Sequence, residues 1–498
     1  MVRKACFDGT GTRMDWKEVV ARFLYGSVRP LVRKIDPTLH TVLGSDCGLV
    51  LSSDINLEVR NRHDLHGQCE ICKGDRRRLS IIFQLPEKID DLNFHESTLK
   101  DCDSRLTATI EWWHRWRHGR TERAPDSVIR SAIVLKALTN APTGAIMAAP
   151  TTSLPEQMGG GRNWDYRFSW IRDSWLMLRA LSELGFSAEA EGFNRFVERS
   201  ASGSGEELQV LYGLGGERDL YERKLNHLEG YRGSRPVRIG NRAYRQNQHD
   251  MYGALLETAW LTHGDRGKLN DEYWTFLVDV VEKAVRIWRK PDRGIWEVRG
   301  KPRHFVFSKA MCWTALHRGI QLAQSLHRDA PLERWKSVGD EIRLEVLQLG
   351  YSKEIGAFTQ SYEDAEMDSS VLLLPMIGFI DYRDYKMMST VDAVIRELGQ
   401  EGLLRRYRNE DGLEGNEGAF LSCTFWLAEC LARQGRMELA RDYFNRAADA
   451  SNDLGLYSEE YDPLNKIPLG NFPQALTHLS HISAALACRG SEPIQEEL

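Results

Sequence analysis

The spacing of apolar residues changes character near residue 125. Before it, apolar positions alternate over short runs at Leu39–Leu43, Gly48–Ser52, Ile55–Val59 and Leu79–Leu85. Gly, Asp and Asn punctuate these runs, and Lys73-Gly74-Asp75 reads as a turn, so the stretch predicts a small antiparallel sheet domain. Thr98 to His118 predicts a helix that ends in a Trp- and Arg-rich segment. After residue 125 the period becomes 3.6. The pattern predicts helices over 126–139, 169–185, 188–203, 249–264, 271–289, 306–327, 331–348, 368–377, 387–399, 417–434, 437–451 and 472–489. Asp126-Ser127 supplies a start signal for the first, and Gly185 and Gly435 supply stops for two others.

More polar and more apolar helices alternate along the chain. The segment holding Leu372–Leu374 and Ile377 is nearly all apolar and fit only for burial. Six antiparallel pairs predict a mainly α fold, an (α/α)6 barrel or six-hairpin toroid. No strict repeat of 34 or 40 residues is present, which favours a closed barrel over an open solenoid. The expected organisation is a small, shortened β-sandwich-like domain over 1–97, a helical linker over 98–124, a barrel over 125–490 and a tail over 491–498.

Composition narrows the function. The 498 residues are 42% apolar and 28% charged, as in globular proteins, and the net charge of −5 gives no nucleic-acid footprint. No run of eighteen apolar residues occurs, so no membrane span is expected. Met1 to Asp15 shows no apolar leader, so no signal peptide is expected. Nine cysteines, several in helix-like patterns (Cys312, Cys423, Cys430, Cys488), favour reduced thiols and a cytoplasmic setting over a disulfide framework.

The predicted loops carry the chemistry. Asn140–Phe168, Tyr212–His249, Pro291–Phe305, Asn409–Glu417 and Gly455–Phe472 are long and rich in Gly, Trp, Tyr, Arg and Glu. In a barrel of helix pairs, loops at one end converge over the axis, where a pocket forms. Arg162 to Asp173 packs three arginines among aspartates and aromatics. Carboxylates accept from sugar hydroxyls, guanidinium donates to them, and aromatic faces take the apolar side of a pyranose. Gly294-Ile295-Trp296-Glu297-Val298-Arg299-Gly300 places a glutamate beside a tryptophan, an apolar setting that suits a general acid. Ser458-Glu459-Glu460-Tyr461-Asp462 offers two adjacent acids, of which an extended loop can aim only one into a pocket. Taken singly, each segment also fits an ordinary salt-bridged or solvated loop.

Together the segments resemble glycoside hydrolase family 15, the glucoamylases and prokaryotic trehalases. The resemblance rests on motifs in order: Ala149 to Glu156, Arg162-Asn163-Trp164-Asp165-Tyr166-Arg167 with Trp170 and Arg172-Asp173, Gly233 to Asn241, Trp296-Glu297, Glu417-Gly418-Ala419-Phe420, Ser458 to Asp462, and Gly470 to Ala475. It covers about residues 125 to 488. It implies the (α/α)6 barrel behind an N-terminal β-sandwich, with Glu297 as general acid and Glu459 as general base. It also implies a sugar subsite of Trp164, Asp165, Trp170, Arg172, Asp173 and Trp296, with Glu417 and the Gln246–Asp250 loop as weaker members. The opening Phe7-Asp8-Gly9-Thr10-Gly11-Thr12 departs from the family's usual start, which implies a shortened sheet domain.

The implied reaction is inverting, exo-acting hydrolysis. Glu297 protonates the glycosidic oxygen of a small α-glucoside while Glu459 takes a proton from water attacking C1, and β-glucose leaves. The motifs are shared by enzymes of trehalose and of malto-oligosaccharides and do not separate the two. A non-catalytic sugar-binding protein on a degenerate barrel is the rival reading. No cofactor is expected, since no phosphate-cradling loop with Lys-Ser/Thr occurs. No metal is expected either, because His63, His66, Cys69 and Cys72 lie within a strand-like run instead of two separated ligand pairs. Homo-oligomerisation is left open.

Overall fold

The computed structural model describes residues 2–7, 13–70, 72, 74–90, 99, 101–118, 124–201, 208–263, 269–409, 411–415 and 417–489. The chain divides into two compact units, Met1–Gly119 and Arg120–Leu498.

Among its described residues the first unit holds nine strands: β1 (Val2–Phe7), β2 (Arg13–Val20), β3 (Leu31–Lys34), β4 (Leu39–Gly44), β5 (Cys47–Ser53), β6 (Leu57–Arg60), β7 (Asp64–Gly67), β8 (Cys69–Glu70) and β9 (Leu79–Gln84). All four predicted strand runs are present as β4, β5, β6 and β9. Strands β3-β4-β5-β9 form one antiparallel sheet, with Thr41 opposite Val50 and Val50 opposite Ile82. A second sheet runs β1-β2-β7-β6, with β8 also paired to β2. Alternation does what the pattern requires: Val42 and Leu51 from one sheet and Leu57 and Leu65 from the other meet in a shared core with Ile55. Helix α1 (Cys102–Arg117) belongs to this unit and is tied to it by Arg78, which donates to Asp103.

The second unit is helical. Its helices are α2 (Asp126–Leu138), α3 (Ile171–Glu183), α4 (Ser187–Ala201), α5 (Asp250–His263), α6 (Asp271–Ile287), α7 (Val306–Ser325), α8 (Leu332–Leu349), α9 (Tyr385–Leu398), α10 (Leu421–Arg433), α11 (Met437–Ala448) and α12 (Ala475–Cys488). Helices α5, α7, α10 and α12 are buried over most of their length and packed by neighbours on all sides. Helices α4, α6, α8, α9 and α11 are amphipathic and lie against them. In space α3 packs on α5, α5 on α7, α10 on α12 and α12 on α3.

The expected helix over 368–377 is instead a short 3-10 segment, Ser369–Leu373, between α7 and α10. Pro375 has no N–H to donate to Val371, whose carbonyl takes the Leu374 N–H at 3.2 Å instead. The side chain of Asp368 caps the segment by accepting from Ser370 N–H at 2.7 Å.

Of the predicted helices that start later than the apolar period suggests, two are preceded by short ladders. Ser169–Trp170 pairs with Leu211–Tyr212 before α3 begins, and Ala419–Phe420 pairs with Glu460–Asp462 before α10 begins. These short ladders fix the backbone at the helix entrances where the motif residues stand. No helix among the described residues is long and apolar enough to cross a membrane.

Candidate active site

Trp170 is the N-cap residue of α3, so Arg172 and Asp173 fall in the first turn. An acidic side chain there faces the positive end of the helix dipole. Arg172 grips Asp173 with two prongs, Nε to Oδ1 at 2.7 Å and Nη2 to Oδ2 at 3.3 Å. Its remaining arm donates to the Ile295 carbonyl and to Oε1 of Glu297 at 3.3 Å. Burial opposes the guanidinium charge, but Asp173 and Glu297 outweigh it and hold Arg172 firmly protonated.

Glu297 sits in the loop between α6 and α7, in the left-handed region at φ 59°. Gly294 begins this turn at φ 66°, and Phe305 stands 2.9 Å from where a β-carbon would lie, so a side chain is excluded there. Glu297 Oε1 accepts the Trp170 indole N–H at 2.6 Å, and its backbone carbonyl accepts from Gln246 Nε2 at 3.2 Å. The apolar setting expected from the neighbouring tryptophan is therefore not what surrounds this carboxyl. Trp296 turns its own N–H away, to Asp368 Oδ1 at 2.8 Å. An indole and a guanidinium are the nearest donors.

Glu459 comes from the other side, from the loop ahead of α12. Its Oε1 accepts the Tyr166 hydroxyl at 2.7 Å, while Oε2 is buried with no hydrogen-bond partner. Burial pushes this carboxyl up to about 7 against the opposing pull of Tyr166 and Arg406. Burial, and then the Glu459 carboxylate beside it, keep the Tyr166 phenol protonated. Glu460 is fully buried as well, but strand alternation aims it elsewhere: its Oε2 accepts Gly418 N–H at 2.8 Å. Gly470 leaves room for Glu459, whose Oε2 would lie 2.7 Å from a β-carbon placed there.

One pocket gathers Trp164, Trp170, Arg172, Asp173, Trp296, Glu297 and Glu459, with Tyr166, Gln246, Arg299 and Arg406 among its other walls. It encloses about 820 Å³ of space free of protein atoms, open solvent at its mouth included. Trp164 is held between Arg238 and Arg299, whose guanidinium carbons lie 4.6 and 4.3 Å from its ring centroid.

Asp165 and Glu417 are not brought to this pocket. Asp165 is buried and tied to protein: Arg167 donates to it at 2.8 and 2.7 Å, and Gly240 N–H at 3.0 Å. Glu417 accepts from Arg162 and from two nitrogens of Arg406, Nε at 2.7 Å among them. It holds Arg406 against the pocket from behind. Arg406 stays protonated although buried, because Glu417 and Glu156 outweigh desolvation. Of the Gln246–Asp250 loop, Gln246 alone lines the pocket.

Tyr166 lies inside the Arg162–Arg167 motif, and its place two residues after Trp164 is the sequence signal that singles it out. Arg406 carries no sequence signal, since the acids that position it are distant in the chain.

Among the described residues, the carboxylates close enough to share a cation are Glu156, Glu417 and Glu460, with oxygens within 4.8 Å of one another. Arg162 and Arg406 already pair with this group, and burial raises Glu156 and Glu460 well above the ordinary range, so protons and guanidinium meet its charge. His63, His66, Cys69 and Cys72 do not converge in the same way.

A family model described as glycosyl hydrolases family 15 matches residues 122–486. A trehalase of Mycolicibacterium smegmatis is 44% identical over 400 residues, 78% of this chain and 59% of its own length. A trehalase of Thermoplasma volcanium is 41% identical over 384 residues, 76% of this chain and 61% of its own length. The chain thus spans about three fifths of the length of these curated relatives. Among solved structures, a bacterial glucoamylase complexed with acarbose superposes with a TM-score of 0.73 at 14% identity, covering 92% of this chain and 74% of that one. A glucoamylase from Saccharomycopsis fibuligera gives 0.55 at 12% identity, covering 76% and 95%. The match spans the helical unit and every loop that lines the pocket, and on that ground the chain belongs to glycosyl hydrolases family 15.

Proposed function

We propose that this chain is an inverting, exo-acting α-glucoside hydrolase of the trehalase type, releasing β-glucose from the non-reducing end. The observation that carries the reading is the unequal dressing of two carboxyls in one pocket. Glu297 is held by two donors, Trp170 and Arg172, whereas Glu459 keeps one oxygen free of any partner. A free, buried oxygen suits a base that must accept a proton from water. Arg172 and Asp173, locked together beside Glu297, offer one donor and one acceptor face to the hydroxyls of the terminal glucose. Trp170 and Trp296 supply apolar surface to the same sugar, and Trp164, its ring covered by Arg238 and Arg299, lines the pocket beside them.

Glu297 gives its proton to the glycosidic oxygen as the C1–O bond breaks. Water attacks C1 from the opposite face, and Glu459 takes its proton. Trehalose is the preferred substrate in this reading, because the relatives at 40–44% identity are trehalases. The packing of α12 back onto α3 supports a closed (α/α)6 toroid, and the shared core of the two N-terminal sheets supports a β-sandwich.

The test is proton NMR of the anomeric signals at early time, with trehalose and with maltotriose. From trehalose, inversion gives β- and α-glucose in equal amounts, because the leaving glucose keeps its α configuration. Early α-glucose alone would mean retention and sink the mechanism. Faster turnover of maltotriose would sink the trehalase assignment.

A further inference from the structure

Next to the catalytic pocket lies a second cavity, enclosing about 1530 Å³ on the same measure and sharing two wall residues with it, Gln246 and Arg299. Four arginines line it: Arg242, Arg245, Arg293 and Arg299. Two acids face them: Glu222 is already paired, and Asp292 is engaged through one oxygen while its other, Oδ1, is buried without a hydrogen-bond partner. Glu222 pairs with Arg299 at 3.0 Å and with Arg238 at 3.3 Å. Asp292 is buried, with one oxygen taken by the His249 N–H at 2.9 Å and the Ser308 hydroxyl at 2.8 Å, and burial pushes it up to about 6. Arg242, Arg245 and Arg293 form no ion pair among the described residues. Arg245 only rests over the Tyr244 ring, 5.0 Å from its centroid, and Arg293 only reaches the Val298 carbonyl at 3.4 Å.

The place of this cavity matters as much as its charge. Arg293 starts the turn that carries Glu297, closed by Val298 N–H to the Arg293 carbonyl at 3.2 Å. Gln246, on the shared wall, donates to the backbone of Glu297 itself. In the reading above Glu297 protonates the leaving oxygen, so the cavity lies on the leaving-group side. A plain sugar offers hydroxyls, which gain little from three unpaired guanidinium groups. A phosphate monoester offers oxygens that guanidinium forks match in both charge and shape.

We infer that this cavity takes the leaving-group sugar of an α-glucoside that carries a phosphate ester, with Arg242, Arg245 and Arg293 binding the phosphate. The inference rests on the hydrolase reading. The step balances as ordinary hydrolysis: the C1–O glycosidic bond breaks, water supplies oxygen to C1, Glu297 protonates the leaving oxygen, and the phosphate ester stays intact. The products are glucose and a sugar phosphate.

The experiment compares trehalose with trehalose 6-phosphate on the full chain, as wild type and as the double variant R242A/R245A, at low and at 200 mM salt. Expected is a KM for the phosphorylated substrate about tenfold below that for trehalose, an advantage that shrinks with salt and vanishes in the variant. Equal KM values in the wild type, or an advantage that survives in the variant, would overturn the inference. A third arm adds inorganic phosphate to trehalose. If free phosphate speeds trehalose hydrolysis while the phosphorylated sugar has no advantage, the cavity holds free phosphate and the leaving-group assignment is wrong. Calorimetric titration of trehalose 6-phosphate into E297Q reads binding without turnover. Binding about tenfold weaker when R242A/R245A is added supports the site even if neither sugar is hydrolysed, in which case only the hydrolase reading fails. Unchanged binding overturns the site. Thermal melting of each variant separates a lost contact from a lost fold.

Discussion

Tyr166 donates its hydroxyl to Oε1 of Glu459 at 2.7 Å, and Oε2 of the same carboxyl, although buried, meets no donor. The two oxygens of one glutamate thus have opposite roles. One is anchored, and the anchor sets the direction of the other. Tyr166 is also a neutral donor, so it stabilises the carboxylate without neutralising it, while burial works the other way. The balance leaves Glu459 with a pKa pushed up to about 7.

A base must be ionised to act, so the sign is fixed. As pH falls through about 7, Glu459 takes up its proton and kcat/KM falls. Tyr166→Phe removes the hydrogen bond that favours the charged form. A hydrogen bond to a charged group contributes about 1.5–3 kcal/mol, so the acidic limb of the pH–rate profile should move up by about one unit or more. Rates at pH 6 fall much further than rates at pH 8.5. A profile of unchanged shape, scaled down evenly, would show that Tyr166 does not act through Glu459.

The neighbouring glutamates separate by direction. Glu297→Gln and Glu459→Gln should each lower kcat by about 10²–10⁴-fold with little change in melting temperature, since the amide oxygen still accepts from Trp170 or Tyr166. Glu460→Gln should keep most of the activity, because that side chain faces the Gly418 N–H and not the pocket. Steady-state kinetics on the three variants decides it. An inactive Glu460→Gln beside an active Glu459→Gln would reverse the assignment of the base.

Much of this was legible in the sequence, and the exceptions have physical causes. Eleven of the twelve predicted helices in the second unit exist because a 3.6 period needs only local residues to be read. The segment around Leu372–Leu374 misled because burial on every side gives helix and 3-10 turn the same apolar run, and Pro375 decided between them. Asp165 misled in another way. Beside Arg167 it has the look of a sugar contact, yet its oxygens are taken by Arg167 and Gly240 N–H, and the second of these partners is 75 residues away. Arg406 was invisible for the same reason, because its position depends on Glu417 and Glu156, which only folding brings to it.

Arg172 joins three parts of the pocket: Asp173, the Ile295 carbonyl and Glu297. A lysine keeps the charge but cannot reach all three, because its ammonium is a single point and the guanidinium is a fork. Arg172→Lys should therefore lower kcat/KM by about 10²-fold, with both Asp173 and Glu297 left loosely placed. Loss in KM alone, with kcat intact, would mean that Arg172 binds the sugar but does not orient the acid.

Glu156, which also lines the pocket, tests the electrostatics of the buried acids through stability instead of turnover. It is 1% exposed, neither of its oxygens has a hydrogen-bond partner, and its nearest cation is Arg406 Nη2 at 3.6 Å. Burial raises its carboxyl well above the ordinary 4.5, with Glu459 and Glu417 adding repulsion against the help of Arg406. The folded protein therefore keeps this proton at pH values where the unfolded chain loses it. A group of this kind contributes its full stability below 4.5 and loses it as pH rises towards the folded-state value, at no more than about 1.4 kcal/mol per pH unit. Glu156→Gln has the shape of the protonated acid and no proton to lose. The variant should melt close to the wild type near pH 4.5 and increasingly above it as pH rises, by up to about 5 °C two units higher. Melting curves at three pH values check this. A difference that stays flat, or that favours the wild type more at higher pH, would mean that Glu156 is ionised in the folded state and paired with Arg406.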